Sequence, residues 1–344
     1  MRTFAIAAFA LVACAAPETQ GAPQAPGAVA EAPAAVTPTI PPPPILEPTV
    51  APPLARENTS TIPVRARGAL SPGPVPAIAT PLPLECAGAF AQGGTAICRT
   101  VPGASIVLDG QDRGKADANG WFVVGFDRDS PASSRIEVIA SEGVNAARDF
   151  TVLPREFSIQ RVDGLPPQTV TPTDPAVVAR LARDRDTKNR GFASRAPAEG
   201  WLDGFIWPVE GRISGSWGNQ RVLNGEPRSP HYGVDIAMPE GTPILAPAGG
   251  VIALAEPDLY LEGGLVLIDH GQGLISMYLH MSRLDVREGE RVTQGQVIGA
   301  VGKAGRATGA HLCWRMKWRD RNLDPSLAIL GLAQARVQLA GATP

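Results

Sequence analysis

The chain has 344 residues but only four histidines, and all four fall between Phe205 and Leu327. Their settings share a pattern. In His231-Tyr232-Gly233-Val234-Asp235-Ile236, strand alternation puts His231, Gly233 and Asp235 on one face, against Tyr232, Val234 and Ile236. In Leu274–His280, the residues Ser276, Tyr278 and His280 oppose an apolar face of Ile275, Met277 and Leu279. In His311–Trp318, His311, Cys313, Arg315 and Lys317 oppose Leu312, Trp314, Met316 and Trp318. Imidazole, carboxylate and thiolate are the groups that hold a transition metal or move a proton. One histidine on a strand is an ordinary packed residue, whereas three strands that each set such groups against an apolar face point to a shared site. Positions four apart in an extended chain are about 13 Å from each other, so His231 and Asp235 meet at one ion only if the chain bends, which Gly233 permits. His311 and Cys313, two apart and about 6.6 Å along a strand, address one site directly.

The elements that must carry these residues are β-strands. From residue 84 to about 164, short alternating runs are separated by turn signals such as Asp109-Gly110 and Asn119-Gly120, which predicts an Ig-like β-sandwich with no histidine of its own. Asp174-Pro175 is a helix start, and the charged run Arg183–Arg190 ending at Gly191 predicts a solvated connecting helix. Eighteen of the 35 prolines lie between Ala15 and Glu85, including Pro41 to Pro44, so that stretch is an extended tether rather than a core. Hydrophobic residues at 44% suffice for packed cores after it, and 31 basic against 33 acidic residues leave no polycation to hold nucleic acid.

Arg2 followed by the apolar run Phe4–Ala13 is a secretory signal too short to span a bilayer. Its end, Leu11-Val12-Ala13-Cys14, resembles a lipobox with lipidation at Cys14, and Ala13-Cys14-Ala15 also fits ordinary signal cleavage. Both imply export to the periplasm or cell envelope. By resemblance to enterobacterial lipoproteins, Ala15 after Cys14 leans toward an outer-membrane anchor. In an oxidising compartment Cys86 and Cys98, twelve apart, are candidates for a disulfide, which leaves Cys313 without a partner.

The run His231-Tyr232-Gly233-Val234-Asp235-Ile236-Ala237 resembles the H-x-G-x-D-[IL]-A signature of the lysostaphin-like (LytM-type) zinc metalloendopeptidases. Further matching runs are Phe205–Val209, Gly241-Thr242-Pro243, Ile268–Gly271, Tyr278-Leu279-His280, Gly295–Gly299 and Thr308–Leu312. The resemblance spans about residues 205 to 327. It implies a groove floored by an antiparallel sheet, with His231 and Asp235 as Zn²⁺ ligands and His280 and His311 as catalytic histidines, and peptidoglycan stem peptides as substrate. The family motif ends H-x-H; here the second position, the third ligand, is Cys313, and thiolate is among the few replacements that keep zinc. The resulting expectation is a mainly β chain: signal peptide 1–14, Pro/Ala-rich tether 15–83, β-sandwich 84–165, helical linker 166–204, peptidase domain 205–328 and C-terminal tail 329–344. Its function is then cleavage of peptidoglycan cross-links. The alternative is an inactive peptidoglycan-binding regulator with a wall-hydrolase partner. His270, before Gly271 at a strand end, is expected to be structural.

Overall fold

A computed structural model describes residues 82–140, 143–165 and 167–341. The signal peptide, Cys14 and nearly all of the tether lie outside these described residues.

The chain is mainly β. Its first half carries β1 (Glu85–Gly88), β2 (Thr95–Arg99), β3 (Ser105–Leu108), β4 (Gln111–Lys115), β5 (Trp121–Gly125), β6 (Ser133–Ile139) and β7 (Asn145–Thr151). They form two antiparallel sheets, ordered β1-β2-β5 and β4-β3-β6-β7, around buried Ile97, Phe122, Val124, Ile106, Ile136 and Val138. Asp109 and Gly110 both take positive φ between β3 and β4, the backbone that a tight hairpin turn requires. Cys86 and Cys98 are register partners on β1 and β2, and a disulfide joins them.

The next strand, β8 (Ile159–Val162), does not close the sandwich as its alternation suggested. It lies parallel to a strand of the second half, with Arg161 beside Val222 and Gln160 beside Arg221. Helix α1 (Pro167–Val170) and helix α2 (Pro175–Phe192) follow. The Asp174 carboxylate accepts from the Ala176 amide at 2.7 Å, capping α2. Nor is α2 a purely solvated connector. Gly191 lies so close to the sheet that a Cβ there would sit 2.6 Å from Leu267 Cδ1, and buried Asp184 accepts from the Tyr260 amide.

The second half contributes β9 (Arg212–Gly215), β10 (Gln220–Leu223), β11 (Glu226–Pro227), β12 (Val234–Ala237), β13 (Pro243–Leu245), β14 (Gly250–Leu259), β15 (Gly263–Asp269) and β16 (Leu274–Met281). It continues with β17 (Arg283–Leu284), β18 (Arg291–Val292), β19 (Val297–Ala300), β20 (His311–Trp318), β21 (Arg321–Leu323) and helix α3 (Pro325–Gly341). Eight strands form one sheet in the order β18-β14-β15-β16-β20-β12-β9, with β21 paired to β20. One face packs Tyr278, Trp314, Met316 and Trp318 into the main core. The other carries Leu267, Met277, Leu279 and Cys313, with Phe192 of α2 packed against them. The expected C-terminal tail is α3, which packs on β1 and β2. Ala328, Leu332 and Ala335 are buried there at helical spacing.

Candidate metal centre and its groove

The register of the sheet sets the site. On the face shared with Cys313, β12 places Asp235 opposite Cys313 and Ala237 opposite His311, while β16 places Leu279 opposite Cys313. Strict alternation would therefore turn His280, with Tyr278, into the core on the opposite side. It does not go there, because His280 adopts φ +65°. This left-handed residue ends the alternation and swings the imidazole back to the site face, 4.7 Å from the His311 ring centre. Ser276 and Tyr278 do face the core, so the expectation that they share a face with His280 is corrected by one backbone angle.

His231 precedes β12 rather than lying in it. Its backbone pairs with the loop, donating to Asn219 O and accepting from Gly218 N, and this bend brings it to Asp235. Gly233 gives the room: a Cβ there would lie 2.8 Å from Cys313 Sγ and 3.2 Å from His231 Nε2. Gly215 on β9 does the same for Asp235, since its Cβ would lie 2.4 Å from Oδ2. No motif singled out Gly215; its signal lies in a register that only the folded sheet shows.

Donor atoms of His231, Asp235 and Cys313 all lie within 4.8 Å of one another, and all three residues are buried. His231 Nε2 is 3.2 Å from Asp235 Oδ1 and 3.5 Å from Cys313 Sγ. Even so, Asp235 Oδ1 and His231 Nδ1 have no hydrogen-bond partner among the described residues. A buried carboxylate oxygen close to its neighbours but aligned with none is costly, and a shared cation removes that cost. The donor set of imidazole, carboxylate and thiol is one that zinc accepts, so the residues fit the metal. Burial disfavours the charged form of Asp235, but contacts with His231, Cys313 and His311 outweigh it and hold the carboxyl down at about 2. Burial lowers the His231 pKa and pushes the Cys313 thiol up to about 11, against the pull of Arg315. Of this coupled group we take Asp235 to be ionised and His231 neutral.

His280 and His311 flank the cluster with defined tautomers. His280 Nδ1 donates to Ala304 O at 2.8 Å and His311 Nδ1 donates to Gly309 O at 2.8 Å. Each Nε2 is left free for the groove. Burial lowers the His280 pKa to about 4, so this imidazole is a neutral acceptor at working pH. His270 is elsewhere: it is fully buried, bonded through Nδ1 to Gly249 O and through Nε2 to Ser276, and is structural.

The groove encloses a cavity of about 400 Å³ whose walls include His231, Asp235, His280, His311 and Cys313, together with Gln160, Val162 and Leu165 from the β8 region. Arg315 lines it as the alternation suggested, while Lys317 lies instead over the Phe192 ring, 4.7 Å from its centre. Arg221, Arg306 and Glu262 also line it; they sit in segments with no motif of their own. Glu262 is ion-paired to Lys188 of α2. Asp269 has a structural role, accepting from Ser194 Oγ and the amides of Ala196 and Gly271.

An antiparallel sheet bearing a buried His–Asp–Cys cluster with two flanking histidines defines a LytM-type peptidase domain. Residues 229–325 match Peptidase family M23, and the chain belongs to that family. It is 36% identical over 132 residues to the peptidoglycan DD-endopeptidase ShyA of Vibrio cholerae, covering 38% of this chain and 30% of that protein. It is 34% identical over 124 residues to a lipoprotein NlpD/LppB homolog of Pseudomonas aeruginosa, covering 36% and 39%. The chain thus spans about a third of the length of these curated relatives. A solved structure from Pseudomonas aeruginosa assigned to peptidase M23 is 30% identical, with a TM-score of 0.53, and covers 70% of this chain and 94% of that one.

Proposed function

We propose that this chain is an exported zinc-dependent endopeptidase that hydrolyses peptide cross-links of bacterial peptidoglycan, with Cys313 in place of the usual third histidine ligand. The observation that carries the reading is the convergence of His231, Asp235 and Cys313 around an unpartnered carboxylate oxygen. These three residues hold the metal, which when bound supplies Lewis acidity to water and to the scissile carbonyl. The groove orients the peptide across the sheet. With each Nδ1–H donated to a backbone carbonyl, His280 and His311 turn Nε2 toward the groove, where they take the proton from the attacking water and return one to the leaving amine. The β-sandwich serves as a spacer or wall-binding module. Cys14 carries the lipid anchor, and the Pro-rich segment sets the reach of the catalytic domain from the outer membrane.

The second reading, a regulator that binds peptidoglycan and activates a separate hydrolase, is favoured by Cys313 itself, because a buried thiol also packs well without metal. Metal content separates the two. Close to one zinc per chain in the wild type, lost in Cys313→Ala, together with release of stem peptides from isolated wall, supports the enzyme. No zinc after reconstitution under reducing conditions sinks it.

A further inference from the structure

Around the cluster the groove is cationic beyond what the chemistry above uses. Four arginines line the cavity, Arg212, Arg221, Arg306 and Arg315, against two carboxylates, Asp235 and Glu262. Neither carboxylate is available to them in full. Glu262 is engaged by Lys188, and Asp235 belongs to the metal cluster, with Arg221 Nη2 no nearer than 3.7 Å. Among the described residues, Arg221 is otherwise held only by a long contact from Nε to Gln160 Oε1 at 3.4 Å, and Arg315 by one from Nε to Cys313 Sγ at 3.4 Å. Arg306 has no side-chain hydrogen bond and no ion pair among the described residues.

Like charges have thus been gathered with only partial neutralisation, the charge on Arg315 being favoured by Cys313, Glu262 and Asp235 against its burial. Arg315 opposes the charge on Arg221, and both oppose the charge on Arg306, whose pKa is lowered first by burial although solvent reaches its side chain. Guanidinium groups whose free donors face an open groove can exchange water for an anion, and their planar fork matches a carboxylate bidentately.

We infer that Arg221, Arg306 and Arg315 form a subsite for a free carboxylate of the bound peptide, next to the His231–Asp235–Cys313 cluster. The inference rests on the proposed function only in taking a peptide as the occupant. It restricts the substrate class to peptides with a carboxylate close to the bond that is cut. The recognition is one of charge and fork geometry, and Arg306, standing at the rim, meets the incoming anion first.

The test uses the purified full chain treated with EDTA, so that binding is read without turnover. Isothermal titration compares Nα-acetyl-Lys-D-Ala-D-Ala as the free acid with its C-terminal amide, for wild type, Arg221→Gln and Arg306→Gln. The free acid should bind at least about tenfold more tightly than the amide, as loss of a charge-assisted pair implies. Each variant should bring that ratio toward one while its thermal midpoint stays within a few degrees of wild type. Equal binding of acid and amide, undetectable binding of both, or an unchanged ratio in both variants would overturn the subsite. So would inorganic phosphate competing as well as the free acid, since that marks a generic anion patch. Cleavage of wall by a protein that does not discriminate acid from amide would leave the endopeptidase and remove only the subsite. Discrimination by a protein that takes up no zinc would do the reverse.

Discussion

His270 couples the packing of the eight-stranded sheet to pH, and its contribution follows from the structure. The ring is fully buried, with Nδ1 2.7 Å from Gly249 O and Nε2 2.7 Å from Ser276 Oγ, which in turn lies 2.7 Å from the Tyr278 hydroxyl. Burial lowers its pKa from 6.5 to about 4, against the pull of Gly249 O and Asp269. Because the folded pKa is depressed, the unfolded chain takes up the proton first as pH falls. The contribution to stability is therefore complete above pH 6.5, is lost progressively toward pH 4 and levels off below. The shift corresponds to about 3 kcal/mol, a large share of the stability of an ordinary domain. Guanidinium unfolding of wild type and His270→Gln at pH 7.5, 5.5 and 4 measures it. The variant should be less stable at pH 7.5, because the glutamine cannot fill the ring's place against Phe205, whose centre is 4.9 Å away. It should also lose about 3 kcal/mol less than wild type between pH 7.5 and 4. The slope that remains belongs in part to His280, also lowered to about 4. Parallel stability profiles for the two proteins would refute the reasoning.

Three further outcomes test the site. Cys313→His should keep its zinc and raise the rate of wall digestion near neutral pH, because replacing thiolate by a neutral imidazole restores a unit of positive charge; metal analysis that finds no zinc in the variant would count against this. His280→Ala should lower kcat by about 10² to 10⁴ with zinc content unchanged, the span expected for removing a proton-transfer group, and loss of metal in parallel would reassign His280 as a ligand. Gly215→Ala should weaken zinc binding by about 10- to 100-fold, the usual cost of disturbing a ligand's support, since the new methyl would meet Asp235 Oδ2 at 2.4 Å; competition with a chromophoric chelator reads the change.

Much of the site could be read from the sequence because the strand period carries it. Alternation along His311–Trp318 puts Cys313 and Arg315 on the groove side and Trp314, Met316 and Trp318 in the core. The same rule misplaces His280, where a left-handed residue interrupts the period. It also extends β12 back to His231, where the chain is bonded to the 218–219 loop instead. The bend before β12 has a local sign in Gly233, but the turn at His280 has none that decides it, since histidine takes positive φ more often than most side chains yet far less freely than glycine. The pairing of β8 with β10 was hidden for another reason: a parallel partner sixty residues away is fixed by tertiary packing, and its short alternating run suited either sheet. Charge along α2 looked like solvation because it is spread over the helix, yet Arg180 and Lys188 reach Asp258 and Glu262 at the tip of the β14–β15 hairpin.

That hairpin and the arginines bear on why a cysteine is tolerable at position 313. In the proposed site a Cys313 thiolate and Asp235 would together cancel the charge of a zinc ion, whereas the second histidine of the H-x-H motif would leave one unit to acidify water. Arg315 Nε points at Cys313 Sγ from 3.4 Å, and Arg221 stands 3.7 Å from Asp235 Oδ2. In the proposed site both would offset negative charge on Cys313 and Asp235, in a partly buried setting where water screens less than in bulk. Arg315 also favours the thiolate over the thiol, opposing the burial that raises the Cys313 pKa. In the proposed site, the positive charge that a second imidazole would leave on the metal would instead stand around it, on groups that also face the groove. Lys188 reinforces the arrangement from outside the sheet by holding Glu262, the one further carboxylate lining the cavity, in an ion pair. On that reading Cys313 and the arginines would form one electrostatic balance, and substitution of either side is expected to alter the other's role.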